Sequence, residues 1–202
     1  MSIPTGPLPP SCGLWLFARS ISCRIFVPLL KASDGVHVDP ENLLIGPNAT
    51  LREVAFAVGT VLDRDGIHAV LCGGSAATFY APEAYQSEDL DFVLAFNTEG
   101  SVVKTALASV GYRLKNGLFV HDATHFTVEF PRGPLAIGND EVEDIVTLHE
   151  AGQVLRIISP TDSVRDRLNK YAAWDDFSAL RAAVGVARGR RRHARRTFFY
   201  ET

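Results

Sequence analysis

Regular hydrophobic spacing begins near residue 48. Leu51, Val54, Val58, Val61 and Leu62 recur at helical intervals, Asn48 or Thr50 stands ready to cap, and Glu53 follows Thr50 by three positions. That pattern predicts a helix from Asn48 to Gly66. Ile67 to Cys72 reads as a first strand, Ser75 to Tyr80 as a short helix ended by Pro82, and Asp89 to Phe96 as a second strand. Ser101 to Ser109 reads as another helix, stopped by Gly111. Tyr112 to Leu114 and Leu118 to Val120 flank Lys115-Asn116-Gly117, a hairpin signal. From His125 to Phe130, Phe126, Val128 and Phe130 alternate with His125, Thr127 and Glu129, which places Glu129 on the polar face of a strand. Val154 to Ile158 reads as the last strand. Ser159-Pro160-Thr161-Asp162 then opens the longest helix, with Pro160 in its first turn.

The ends of the chain lack this order. Pro4, Gly6, Pro7, Pro9 and Pro10 keep the start irregular, and Arg19, Arg24 and Pro28 interrupt the apolar patch from Gly13 to Leu30. The patch is too broken to span a membrane. Its arginines lie within it, which does not suit a signal peptide. Residues 1–46 are expected to be an irregular arm, either loosely attached or upstream sequence from a misassigned start. Residues 47–158 form the expected core, 159–188 a helical region, and 189–202 a basic tail.

Composition fits a folded domain: 47% of residues are apolar and 21% charged, enough for a real core. A net charge of -3 argues against blanket nucleic-acid binding. The exception is local, because Arg188, Arg190, Arg191, Arg192, Arg195 and Arg196 crowd the C-terminus. They would either grip RNA phosphates or form a solvated, disordered end. Cys12, Cys23 and Cys72 show no paired or zinc-type spacing, so a reducing, cytoplasmic setting is the default.

The chemistry concentrates between Leu71 and Leu94. A strand breaks at Gly73-Gly74-Ser75, and the next strand begins with Asp89-Leu90-Asp91. Period-two geometry sets Asp89, Asp91 and Val93 on one face and Leu90, Phe92 and Leu94 on the other. Two adjacent carboxylates repel, and a divalent cation on oxygen ligands offsets that charge; magnesium suits carboxylates and phosphate oxygens. A glycine turn lets backbone approach a phosphate, with the amides of a following helix pointing at it. Taken singly, an Asp-x-Asp on a strand is solvated surface and Gly-Gly-Ser is an ordinary turn.

Strand, Gly-Gly-Ser, spacer and Asp-x-Asp together resemble the nucleotidyltransferase superfamily that includes DNA polymerase beta and the small MNT-type enzymes. The spacer from Gly74-Ser75 to Asp89 is at the long end of that family's pattern. The run from Ser159 to Tyr171, with Trp174-Asp175-Asp176 and Leu180, resembles the helical region of bacterial abortive-infection type nucleotidyltransferases. The two resemblances cover about residues 66 to 187. They imply an α/β (α+β) fold: a nucleotidyltransferase core with a short, mixed, twisted sheet and helices mainly on one face, followed by a small C-terminal helical region.

The resemblance also implies a site. Asp89, Asp91 and Glu129 would be catalytic and would hold two Mg2+ ions; relatives usually carry Asp where this chain has Glu129. Gly73, Gly74, Ser75 and Ser87 would bind nucleotide, and so would Asp166 and Lys170. Spacing alone makes Asp166 and Lys170 a surface ion pair. Arg167 is left open between phosphate ligand and salt-bridge partner. Relatives carry Arg and Thr where this chain has Tyr85 and Ser87, so a phosphate-holding cation must come from elsewhere. The implied reaction moves a nucleoside monophosphate from an NTP to a hydroxyl, on tRNA or a partner protein, with no membrane involved. A toxin–antitoxin component, with an antitoxin as partner, shares this chemistry. A catalytically silent relative that binds nucleotide or a partner is the alternative.

Overall fold

A computed structural model describes residues 43–95, 98–142 and 144–200, with side chains described to residue 189. The arm expected over residues 1–46 lies outside these residues apart from Leu43 to Gly46. Within that remainder Ile45 is already part of the apolar core, so the folded unit starts slightly before residue 47.

Helix α1 is Leu51–Arg64. The Glu53 carboxylate accepts from the Thr50 amide at 2.7 Å, and the Thr50 hydroxyl accepts from the Glu53 amide. This closed capping box satisfies amides that a helix start leaves unpaired. Strand β1 (Ala69–Cys72), helix α2 (Gly73–Tyr80), strand β2 (Asp89–Leu94) and helix α3 (Gly100–Ala108) follow in the expected order. The hairpin forms between β3 (Arg113–Lys115) and β4 (Leu118–Val120). Its turn residues Asn116 and Gly117 hold φ of 53° and 88°, the left-handed pair that a tight hairpin requires. β5 is Thr127–Glu129, shorter than the expected strand.

Three strands were not legible in the sequence. β6 (Ala136–Ile137) and β7 (Asp140–Glu141) make a small ribbon of their own, and β8 (Ile145–Glu150) pairs antiparallel with β9 (Gln153–Ile158). The β8–β9 turn has Ala151 at φ 47° and Gly152 at 79°. Alanine is a poor signal for that conformation, because its Cβ is crowded there. Helix α4 (Pro160–Trp174) is capped by Ser159, whose hydroxyl accepts from the Asp162 amide at 3.1 Å. Helix α5 runs from Phe177 to Tyr200. It therefore carries helical backbone through residues 189–200, where a disordered basic tail was one expectation.

The main sheet has the order β3-β4-β5-β2-β1-β9-β8. β2 runs antiparallel to β1 and parallel to β5, while β1 runs parallel to β9, so the sheet is mixed. Register sorts the residues into rows. Leu71 stands beside Phe92 and Ile157, and Leu90 beside Val128; all five are fully buried, in one core with Val54, Val58 and Leu62 of α1. One residue along, the row reads Cys72, Asp91, Glu129, with Asp89 beside Thr127. Alternation sends this second row to the opposite face. The fold thus buries the apolar row in the core with α1 and sets the carboxylate row on the other face.

Gly59 lets α1 sit close on β9. A Cβ there would lie 2.8 Å from the Val154 carbonyl oxygen and 3.3 Å from Leu155 Cα. Both contacts are backbone, which cannot rotate aside. Gly59→Ala is expected to lower unfolding stability by about 1–3 kcal/mol through overpacking. A denaturant midpoint identical to wild type would show that the helix has room to retreat.

Candidate active site

The β1–α2 turn builds the floor of the site. Gly73 has φ 64°, and a Cβ on it would fall 2.4 Å from Asp91 Oδ2. Only glycine allows this backbone path so close to the carboxylate. Ser75 is fully buried. Its hydroxyl donates to the Cys72 carbonyl at 2.7 Å and accepts from the Asp91 amide at 3.1 Å. It ties β1 to β2 at Asp91, with its hydroxyl engaged by the backbone on both sides. Gly73 and Gly74 begin α2, and Gly74 is covered in part: a Cβ there would meet Ser87 Oγ at 3.1 Å and the Tyr85 hydroxyl at 3.3 Å.

Ser87 is likewise buried and positioned. Its amide donates to Thr78 Oγ1 at 2.9 Å, and its hydroxyl donates to Asp89 Oδ1 at 2.7 Å. Ser87 therefore orients Asp89 directly. Glu129 reaches the same face from β5, its Cα paired with that of Asp91. From the C-terminal helices, Asp166 joins Cys72, Gly73 and Asp91 in lining a cleft of about 270 Å³. Lys170 does not line this cleft; it lies 3.6 Å from Asp176. The Asp166–Lys170 pair suggested by spacing is replaced by Asp166–Arg167 at 2.6 Å, with the Arg167 side chain only 7% exposed. Arg167 is thus a buried salt-bridge partner beside the carboxylates.

Electrostatics follow from this crowding. Burial, then the charges of Asp89 and Glu129, push the Asp91 carboxyl up from 3.8 to about 6, against the pull of Arg167. Burial, with Asp91 close by, pushes the Cys72 thiol up to about 12, so it remains a neutral thiol. Oxygen donors of like charge on one face suit a hard divalent cation such as magnesium. Among the described residues no three His, Cys, Asp or Glu side chains already converge as a metal's donor set. Asp89, Asp91 and Glu129 share one face of the sheet.

The raised Asp91 carboxyl sets a pH dependence. A carboxyl harder to ionise folded than unfolded costs stability above its folded value, and that cost vanishes below its unfolded one. In metal-free buffer, wild type should therefore gain stability relative to Asp91→Asn as pH falls through the window from about 6 to 3.8. Urea midpoints of both proteins across that window check this; parallel profiles would contradict it.

Sequence reading missed the segment after β5. Pro131, Arg132, Pro134, Leu135 and Ile137 line the same cleft as Asp91 and Asp166. An arginine bracketed by prolines three residues past Glu129 was the available signal. Among the described residues no helix is long and apolar enough to cross a membrane.

The chain matches no protein-family model and no curated protein sequence. Among solved structures it is similar to an antigenic nucleotidyltransferase-like protein from Paracoccidioides brasiliensis. That likeness has a TM-score of 0.53 and 16% identity, over 67% of this chain and 74% of the other. It aligns more loosely with the antibiotic-resistance factor ANT(2'')-Ia, at a TM-score of 0.40 and 14% identity over 71% of this chain and 91% of that one. The fold is nucleotidyltransferase-like, a mixed sheet followed by C-terminal helices, as the sequence resemblance implied.

Proposed function

We propose that the chain is a magnesium-dependent nucleotidyltransferase that moves a nucleoside monophosphate from an NTP to a hydroxyl acceptor. The observation that supports this most is the row of Asp91 and Glu129 on adjacent parallel strands, with Asp89 two residues away on the same face. Asp89, Asp91 and Glu129 would hold the metal. When bound, magnesium would neutralise phosphate charge and favour the ionised acceptor oxygen. Ser87 fixes the Asp89 carboxylate through its hydroxyl hydrogen bond. Ser75 holds the backbone of Asp91, and Gly73, lacking a Cβ, leaves room for its carboxylate. Glu129 would accept the proton of the acceptor hydroxyl. The protein's contribution is then mainly positioning and charge placement, as in phosphoryl transfer generally.

The acceptor is proposed to lie on RNA, tRNA in particular, or on a partner protein, in the setting of a toxin–antitoxin pair. The arginine-rich stretch, Arg188 to Arg196, would supply basic charge for such a polymer. A second reading, a binding module without turnover, is favoured by the Ser75 hydroxyl being engaged and by Tyr85 lying against Gly74. Incubating the protein with each labelled NTP, magnesium, total RNA and cell lysate separates the two. A labelled RNA or protein band is expected. Saturable NTP binding with no labelled product would establish the silent reading instead.

A further inference from the structure

We propose that Arg132 is the cation that receives the triphosphate of the nucleotide in this site. The inference rests on the nucleotidyltransferase reading above and names a residue that reading did not contain.

The need for such a cation comes from charge. Asp89, Asp91, Glu129 and Asp166 lie near one another, and among the described residues Arg167, already paired with Asp166, is the cation that eases the charge on Asp91. A triphosphate entering this cleft adds further negative charge. The place beside Gly74 is held by the ring and hydroxyl of Tyr85, which carry no positive charge. Two further described cations on α4, the helix that carries Asp166, are committed. Arg165 bonds Asp162 at 2.8 Å and Asp140 at 2.9 Å, and Lys170 lies on Asp176. Arg132 lines the cleft, is exposed, and pairs with no described carboxylate.

Its placement is enforced from both ends. Upstream, Glu129 is locked in register with Asp91. Downstream, β6 packs on α4, and the Arg165–Asp140 bond anchors the β6–β7 ribbon to that helix. Between them the loop folds back on β2: a Cβ at Gly133 would sit 3.4 Å from the Leu94 carbonyl and 3.6 Å from Val93 Cγ1. Arg132 is therefore held over the strand that carries both aspartates. A guanidinium offers a planar fork of donors that grips phosphate oxygens in pairs, which an ammonium cannot reproduce.

The test compares full-length wild type, Arg132→Gln, Arg132→Lys and a remote charge control, Lys115→Gln on β3 at the sheet edge. Each is titrated with ATP, CTP, GTP and UTP in turn with magnesium, and with inorganic tripolyphosphate as competitor. Arg132→Gln is expected to weaken NTP binding about ten- to hundredfold and to abolish competition by tripolyphosphate. Arg132→Lys should recover part of the loss, Lys115→Gln should bind as wild type does, and thermal midpoints should not move. Where turnover is measurable, KM should rise more than kcat falls. NTP binding by wild type with equal affinity in Arg132→Gln overturns the assignment and leaves the enzyme reading standing. Failure of folded wild type to bind any of the four nucleotides overturns both.

Discussion

Asp91→Asn is expected to cut nucleotidyl transfer by at least about a hundredfold, the scale on which a preorganised charge contributes to a transition state. The substitution keeps shape and removes charge. Because burial and neighbouring carboxylates already strain the ionised form of Asp91, the variant should be at least as stable as wild type near neutral pH. Loss of activity with retained or increased stability is the combination that separates a functional carboxylate from a structural one. Asp89→Asn should lose activity similarly, while leaving the Ser87 hydroxyl a neutral acceptor in place of a charged one. Transfer at the wild-type rate in both variants, with label incorporation as the readout, would sink the proposed role of the cluster.

Gly73→Ala should damage the site by a different route. Its backbone sits at φ 64°, so alanine pays about 1 kcal/mol for the left-handed conformation. The new Cβ would also fall 2.4 Å from Asp91 Oδ2, and the end of that side chain is what must yield. A carboxylate displaced by about 1 Å can cost on the order of a hundredfold in rate. Gly66→Ala is the matched control: φ is 73° and nothing lies within 4 Å of its Cβ. Both variants should lose a similar amount of stability in denaturant, and only Gly73→Ala should lose transfer. Equal activities in the two would mean that the Gly73–Asp91 contact has no bearing on the reaction.

Within the site, sequence and structure divide by distance along the chain. The capping box, the Asn116-Gly117 turn and the alternation of Asp89 and Asp91 against Leu90 and Phe92 were readable because each is settled by neighbours a few residues away. Ser75 and Ser87 were expected to bind nucleotide; the structure shows them hydrogen-bonded to Asp91 and Asp89. The Ser75–Asp91 bond joins two different elements and leaves no local trace, whereas Ser87 and Asp89 are close along the chain. Asp166 and Lys170 lie one helical turn apart, which suggested a pair, yet Asp166 pairs with its chain neighbour Arg167 and Lys170 with Asp176 just past the helix end, so local partners compete and spacing alone does not choose among them.

By itself the sequence determined the order of helices and strands through β5, the two faces of β2, and the glycine turn beside them, since these follow from side-chain period and backbone sterics. The resemblance already implied that Glu129 would stand on a strand beside Asp91; only the tertiary structure decided its register there, that β8 would extend the sheet, and that Arg132 would line the same cleft as Asp166. Strand register and loop placement are fixed by contacts between segments far apart in the chain, and periodicity carries no information about those.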